Sequence, residues 1–130
     1  GMKVDGILQG LGIGIKRTIK VKDYKEEFIL GKAFDDPGVN FKNAPVGLQS
    51  VIIDAGEYDF QICNTHGISQ PGNKTDTKKR IMQSKNILKF LKSNVFDYQI
   101  IGGGFNFFSG IKKNLMIVKS IRNFIKKYEI

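Results

Sequence analysis

The chain has 130 residues, of which 41% are hydrophobic and 25% are charged, a balance typical of one folded domain rather than of a disordered segment. One cysteine and one histidine exclude an internal disulfide, a thiolate metal cluster and a zinc site built from several histidines. The net charge of +9 favours encounter with polyanions, but the lysines are spread along the chain, and we favour the interpretation that they form solvated faces.

The N-terminus and the length of the apolar runs indicate in which compartment the protein is expected. No apolar run approaches the roughly 18 residues that a membrane span needs, and the N-terminus lacks the apolar core of a signal peptide. We therefore expect a cytoplasmic protein without a membrane span. Gly1 before Met2 is typical of a tag remnant, so we expect the natural chain to start at Met2.

The first half of the chain predicts strands separated by a surface loop. Residues 11–21 alternate apolar with small or basic side chains, as a half-buried strand does, and residues 28–30 form a second extended piece. Turn-forming residues over 35–45 predict the loop. The short apolar run 51–53 predicts a strand that is covered on both faces, and residues 54–57 supply a hairpin turn.

The strand that returns from this turn alternates from residue 58 to residue 63 and runs out at Asn64-Thr65-His66. A polar loop over 69–75 then leads to a predicted helix over 77–93. Arg80 falls inside the apolar stripe of that helix, where a guanidinium needs buried partners. The stripe itself follows a spacing of three and four residues and contains Ile81, Ser84, Leu88 and Leu91.

The last third adds one strand and one helix. Residues 98–101 are a short, mostly apolar run followed by glycines, which predicts a central strand. Residues 110–130 place apolar side chains at a spacing of three and four, which predicts an amphipathic helix with lysines on its wet side. Strands, a helix, a buried strand and a last helix indicate an α+β layered domain, one unit over residues 1–130.

Three short motifs in this order resemble one family. Asn64-Thr65-His66 and Gly103-Gly104-Phe105-Asn106 each end a predicted strand, and Arg80 and Gln83 lie three residues apart on the helix between them. Together they resemble the endonuclease/exonuclease/phosphatase superfamily, the metal-dependent phosphodiesterases and phosphatases related to pancreatic deoxyribonuclease and sphingomyelinase. In that family the second strand ends Gly-Asp-Phe-Asn.

The resemblance covers residues 10–109 and implies the middle and later part of a domain. The implied fold is part of a deoxyribonuclease I-like two-sheet sandwich with flanking helices. The family's acid falls at Gly104, and a glycine can do none of that acid's work. Gly67 stands where the family has a leucine, which we interpret as a mild departure.

The resemblance also implies a role for each matched residue. Asn106 matches the asparagine that holds a phosphate oxygen, and His66 matches a histidine close to the scissile phosphate, so these two are the expected catalytic residues. Asn64, which orients its strand end, and Arg80 are the expected substrate-binding residues. Arg80 and Gln83 match an Arg-x-x-Gln motif that braces the loops of the site, and structural support is expected from Gln83, Gly103 and Gly104.

Other parts of the family's site are missing. A metal-dependent phosphodiesterase must neutralise charge on the phosphoryl oxygens, deprotonate a water and protonate the leaving oxygen. The chain has neither the family's metal-ligating Gln-Glu pair nor its closing Ser-Asp-His motif, and Glu26 and Glu27 lie in a lysine-rich segment without that setting. Magnesium is the cofactor that the resemblance implies, but we expect no metal ligands in this chain.

Three hypotheses stay open. The chain is a degenerate phosphoesterase-family protein, which by family would hydrolyse phosphodiesters or phosphomonoesters but is inactive as an isolated chain. Alternatively, it is an active hydrolase completed by a homodimer or a complementing chain, because half of a sandwich exposes an apolar face. The third reading is a basic module that binds nucleic acid or another anion without catalysis. We favour the first.

Overall fold

The computed structural model describes residues 2–4, 7–31, 45–93 and 96–106. The predicted helix over 110–130 and all but the last residue of the predicted loop over 35–45 lie outside these ranges. In chain order the elements are β1 (Met2–Val4), β2 (Ile7–Gln9), β3 (Lys20–Leu30), β4 (Val46–Asp54), β5 (Asp59–His66), α1 (Lys78–Ser93) and β6 (Tyr98–Gly104).

The main sheet has four strands in the order β3-β4-β5-β6. The first three strands are antiparallel neighbours, whereas β5 and β6 run parallel. A parallel pair needs a crossover connection, and α1 lies in the segment that supplies it. The carboxyl ends of β5 and β6 therefore meet at one edge of the sheet, where His66 is the register partner of Gly104.

Helix α1 packs on one face of the main sheet, which we call the covered face. The hydrophobic core lies between α1 and the covered face, where side chains of the strands pack against side chains of the helix. It contains Ile29, Val46, Leu48, Cys63, Ile68, Ile87, Phe90 and Leu91. The opposite face, which carries Val51, Ile62 and Ile100, is called the open face. It includes large side chains that are well exposed, such as Tyr24 at 51% and Ile100 at 52%.

A row of buried polar side chains crosses the covered face beneath α1. Gln61 Nε2 donates to Ser50 Oγ at 2.9 Å, and Gln99 Nε2 donates to Gln61 Oε1 at 2.6 Å. The same Gln99 nitrogen donates to the carbonyl of Leu91 at 3.1 Å. Because buried amides are costly without partners, these hydrogen bonds tie β4, β5, β6 and α1 into one arrangement.

The predicted deoxyribonuclease I-like two-sheet sandwich with flanking helices is wrong for the residues that the structure describes. They form one four-stranded mixed sheet, a single helix and a separate sheet of two three-residue strands, β1 and β2. Two sheets of a sandwich bury their inner faces against each other over several strands. Two three-residue strands offer too little surface for such a layer.

The strand predicted over residues 11–21 explains part of this difference. Residues 10–16 form no strand, a turn follows, and pairing with β4 begins only at Lys20. Gly12 and Gly14 are the small residues of this alternation, and glycine weakens a strand. The carbonyl of Gly12 instead accepts a hydrogen bond from the Asn64 side chain at 3.1 Å, so this segment contacts the open face without adding a strand to the sheet.

The other predicted elements that fall within the described residues are confirmed with altered details. The hairpin after Asp54 and the helix are present, but the buried residues of α1 are Arg80, Gln83, Ser84, Ile87, Phe90 and Leu91. Ile81 and Leu88 are only half-buried. The strand predicted over 51–53 is the nine-residue β4, and β6 is an edge strand of the described sheet rather than a central one.

Candidate functional site

Two of the expected site residues meet where β5 and β6 end. His66 is the last residue of β5, and Asn106 follows β6 by two residues. The His66 Nε2 and Asn106 Nδ2 atoms are 3.2 Å apart. Asn106 has a φ of 55°, a left-handed conformation that asparagine adopts more readily than most residues. The backbone turn after β6 thus directs the Asn106 amide towards His66.

A lysine that the sequence analysis did not single out completes this group. Lys74 Nζ donates to Asn106 Oδ1 at 2.9 Å and to the carbonyl of Ser69 at 2.9 Å. Lys74 lies in the polar loop before α1, one lysine among many, so its residue type and setting carried no signal. We call His66, Lys74, Gly104 and Asn106 the strand-end cluster.

The hydrogen bonds of Asn106 define which atoms face which. An ammonium can only donate, so the atom facing Lys74 is the amide oxygen. The amide nitrogen donates to the carbonyl of Gly67 at 2.8 Å and faces His66 Nε2. Since that nitrogen carries only donors, Nε2 of the neutral imidazole must accept, and the ring proton must reside on Nδ1.

His66 also occupies the space beside the position of the missing acid. A Cβ atom at Gly104 would lie 2.7 Å from His66 Cδ2. Any side chain at residue 104 therefore requires the imidazole to move. The glycine and the present position of the imidazole are structurally linked.

The other expected residues of the β5 and β6 ends have local roles. Asn64 is half-buried on the open face, and its side chain donates to Gly12. Gly103 has a φ of 121°, and a Cβ atom there would lie 1.9 Å from the carbonyl oxygen of Thr65. Only glycine combines this backbone conformation with such a close approach.

Arg80 is completely buried and faces the loop before α1. Its guanidinium donates to the carbonyls of Thr75 at 2.8 Å, Ser69 at 3.2 Å and Pro71. Burial lowers the pKa of the Arg80 guanidinium, with an opposing effect from Asp76. These contacts hold the loop that carries Lys74. The substrate-binding role that we expected for Arg80 stays a prediction.

Gln83 joins the chain after β5 to the chain after β6. Its Oε1 accepts from the backbone N–H of Ile68 at 2.8 Å, and its Nε2 donates to the carbonyl of Phe105 at 3.0 Å. A Cβ atom at Gly67 would lie 2.4 Å from both Gln83 Nε2 and the Phe105 carbonyl oxygen. No side chain, leucine included, therefore fits at residue 67 in this structure without movement of the backbone.

The described residues do not fit the magnesium ion that the resemblance implies. In the ranges that the structure covers, no group of three or more His, Cys, Asp or Glu side chains is placed to hold a metal ion. Magnesium prefers oxygen ligands, carboxylates above all. The amide oxygen of Asn106 accepts from the Lys74 ammonium instead. We derive no step through a metal.

What the strand-end cluster offers is hydrogen-bond donors. It brings together an ammonium, a side-chain amide and an imidazole, and contains no carboxylate. Such a set can bind an anion, with the ammonium as its charged member. Separately, no helix in the described part of the chain is long and apolar enough to cross a membrane.

Comparisons with known proteins add information on the fold alone. No family model matches the chain, and no curated protein matches it. Among solved structures, the chain is similar to a functionally unknown conserved protein from Enterococcus faecalis V583, with a TM-score of 0.55 and 16% sequence identity. The match covers 78% of this chain and 39% of that one, so this chain corresponds to less than half of its neighbour.

Proposed function

We propose that the chain is a degenerate relative of the endonuclease/exonuclease/phosphatase superfamily that binds phosphate groups at the strand-end cluster without hydrolysing them. One observation carries the proposal. The 3.2 Å separation of His66 Nε2 and Asn106 Nδ2 joins residues of two separate sequence motifs, with Gly104 as the register partner of His66. The parallel pairing of β5 and β6 brings the ends of the two motifs together, as the proposal requires.

The chemistry of the strand-end cluster supports binding. Lys74 supplies a positive charge, and the Asn106 amide supplies N–H groups, both of which suit phosphoryl oxygens. The net charge of +9 favours the encounter with such anions. In the resting arrangement the Asn106 N–H groups are used by Gly67 and His66, so a phosphate oxygen replaces His66 Nε2 as an acceptor.

The same residues argue against turnover. Gly104 has no carboxylate to orient a water or to take its proton, and a positioned acid or base contributes roughly 10²–10⁴-fold to a rate. Groups that act as one catalytic unit are lost together when a member is removed. We therefore assign recognition of phosphate esters, and not their hydrolysis, to this chain.

Binding and turnover are tested separately. Inorganic phosphate is titrated into 15N-labelled protein and followed by amide chemical shifts, for the unmodified chain, His66→Ala and Asn106→Ala, with the exposed Thr18→Ala as a matched neutral control. We expect binding in the unmodified chain and in Thr18→Ala, and at least tenfold weaker binding in Asn106→Ala. His66→Ala removes only the acceptor that the phosphate oxygen replaces at the Asn106 amide, so we expect it to bind phosphate at least as tightly as the unmodified chain. Equal binding in all four proteins contradicts the proposal.

Hydrolysis of bis(p-nitrophenyl) phosphate is measured with and without magnesium. We expect no turnover above background in the unmodified chain. We expect none in Gly104→Asp either, because the new side chain displaces His66. Magnesium-dependent hydrolysis by the unmodified chain that is lost in His66→Ala would overturn the assignment of an inactive protein.

Binding to a general polyanion is the alternative function, and one set of residues favours it. Five exposed lysines line α1: Lys78, Lys79, Lys85, Lys89 and Lys92. Such a surface predicts salt-sensitive binding to single-stranded oligonucleotides that survives loss of His66 and Asn106. The phosphate titration and an oligonucleotide titration of the same variants separate the two functions.

We also propose that a second copy or a complementing chain covers part of the open face. The exposed Tyr24, Phe28 and Ile100 make this face more apolar than a solvated sheet surface. Sedimentation equilibrium over a concentration series measures self-association, and Ile100→Lys is expected to weaken it. A monomer at all concentrations would contradict coverage of this face by a second copy.

A further inference from the structure

We infer that Lys74 is the charged phosphate-binding residue of the strand-end cluster and that it also positions Asn106. The inference rests on the proposed function and deepens it, because no sequence motif includes Lys74. Its side chain is half-buried, and its Nζ joins the loop before α1 to the residue that follows β6.

Lys74 supplies the positive charge of the strand-end cluster, whereas Asn106 supplies only the dipole of its amide. A charge-assisted hydrogen bond to phosphate is about twice as strong as a neutral one, so most of the affinity should come from Lys74.

Lys74 has a donor to spare among the described residues. An ammonium has three N–H groups, and two of those on Lys74 are directed at the Ser69 carbonyl and at Asn106 Oδ1. Within the described ranges the third N–H has no protein acceptor, so it can donate to an anion that lies against the Asn106 amide. Loss of the two existing hydrogen bonds is not required, so binding does not release the loop from the end of β6.

Lys74 also positions the Asn106 amide. Asn106 Oδ1 accepts from Lys74 while Nδ2 donates to the Gly67 carbonyl, so the two contacts impose the same orientation on the amide. This orientation turns an N–H group, and not the carbonyl oxygen, towards His66. An acceptor oxygen at that place would repel a phosphate.

The backbone at Lys74 is held independently of its side chain. Lys74 has a φ of 56°, and its N–H donates to the carbonyl of Pro71 at 3.2 Å. Arg80 holds the same turn from within the core. A substitution that keeps an L side chain of similar length therefore tests the ammonium and not the loop.

The experiment compares Lys74→Met, which keeps the length and removes the charge, with Lys74→Arg, which keeps a charged donor. Lys25→Met is the matched control, because Lys25 is an exposed lysine of β3 that belongs neither to the strand-end cluster nor to the lysines that line α1. Inorganic phosphate is the probe. We expect Lys74→Met to weaken binding at least tenfold, Lys74→Arg to stay within about fivefold, and Lys25→Met to stay within about twofold.

A second readout separates positioning from general charge. The chain has one histidine, so the imidazole 15N signals belong to His66 without ambiguity. In the unmodified protein we expect the Nδ1–H tautomer, with a Nε2 signal that moves when phosphate takes its Asn106 partner. In Lys74→Met we expect the Nε2 signal to differ before phosphate is added and to move less on titration.

The outcomes distinguish the inference from the function on which it rests. If the unmodified chain binds phosphate and Lys74→Met binds within twofold of it, the Lys74 inference is overturned while the proposed function stands. If the unmodified chain does not bind phosphate, both are overturned. If Lys74→Met does not fold, Lys74→Arg and Lys74→Gln are compared instead. Unchanged phosphate affinity in Lys74→Arg together with a tenfold loss in Lys74→Gln supports the inference. Unchanged affinity in both variants overturns it.

Discussion

Replacement of Arg80 by methionine is expected to destabilise the protein by about 3–5 kcal/mol. The side chain is completely buried, and its guanidinium satisfies the carbonyls of Thr75, Ser69 and Pro71. Methionine fills a similar volume but leaves these acceptors without their donor. Each buried acceptor that loses its partner costs about 1–3 kcal/mol, and relief from burying the charge offsets part of the sum.

Urea unfolding followed by far-ultraviolet circular dichroism measures this loss, at equal protein concentration and with the slope of the transition compared between variants. Arg17→Met is the matched control, because Arg17 is exposed and its replacement should change the free energy of unfolding by less than about 0.5 kcal/mol. Arg80→Lys should recover only part of the stability, since one ammonium cannot reproduce the planar fork. A loss below about 1 kcal/mol in Arg80→Met would refute the reasoning.

Three further outcomes follow from the described geometry. Gly103→Ala should cost at least about 2 kcal/mol in urea unfolding, because its φ of 121° and the carbonyl of Thr65 leave no room for a Cβ atom. The Gly56 N–H and Lys20 hold the pKa of Asp54 below its ordinary value of 3.8. The stability that the ionised Asp54 contributes is fully present above pH 3.8 and is lost as pH falls through the lower pKa of the folded state. In Asp54→Asn the free energy of unfolding should therefore depend less steeply on pH in the acid range, and an unchanged dependence would contradict this. Burial raises the pKa of Cys63 to about 11, so Ellman's reagent should react with the native protein only through opening, and rapid reaction would show an accessible thiolate.

The local patterns of the sequence predicted the regular elements around the site. The periodicity of residues 77–93 and the alternation of residues 58–63 depend on near neighbours in the chain, and both elements are present as α1 and β5. Strand ends marked by short polar motifs also made a meeting of His66 and Asn106 a reasonable expectation, and their side chains are in contact. Their catalytic roles stay predictions.

The differences arise where tertiary contacts override local pattern. Arg80 and Gln83 are buried and bind carbonyls and an N–H of the adjoining loops, so the buried stripe of α1 combines polar with apolar residues. Gly12 and Gly14 lower the strand propensity of their segment, and a pattern of alternating apolar residues does not take this into account. Lys74 was not identified because only the fold brings its loop to the residue after β6.

The buried pair Gln61 and Gln99 beneath α1 holds β6 in register with β5, and this register makes Gly104 the neighbour of His66. The pair lies far from the strand-end cluster itself. A slip of β6 by one residue would carry Gln99 from the covered face to the open face and strip Gln61 of its buried partner. Gln99 precedes Gly104 by five residues, or about 16 Å along a strand. Substitution of Gln61 or Gln99 would therefore place a different β6 residue beside the His66 imidazole, with the strand-end cluster itself unchanged in sequence. A search for residues that determine specificity should include these two distant glutamines.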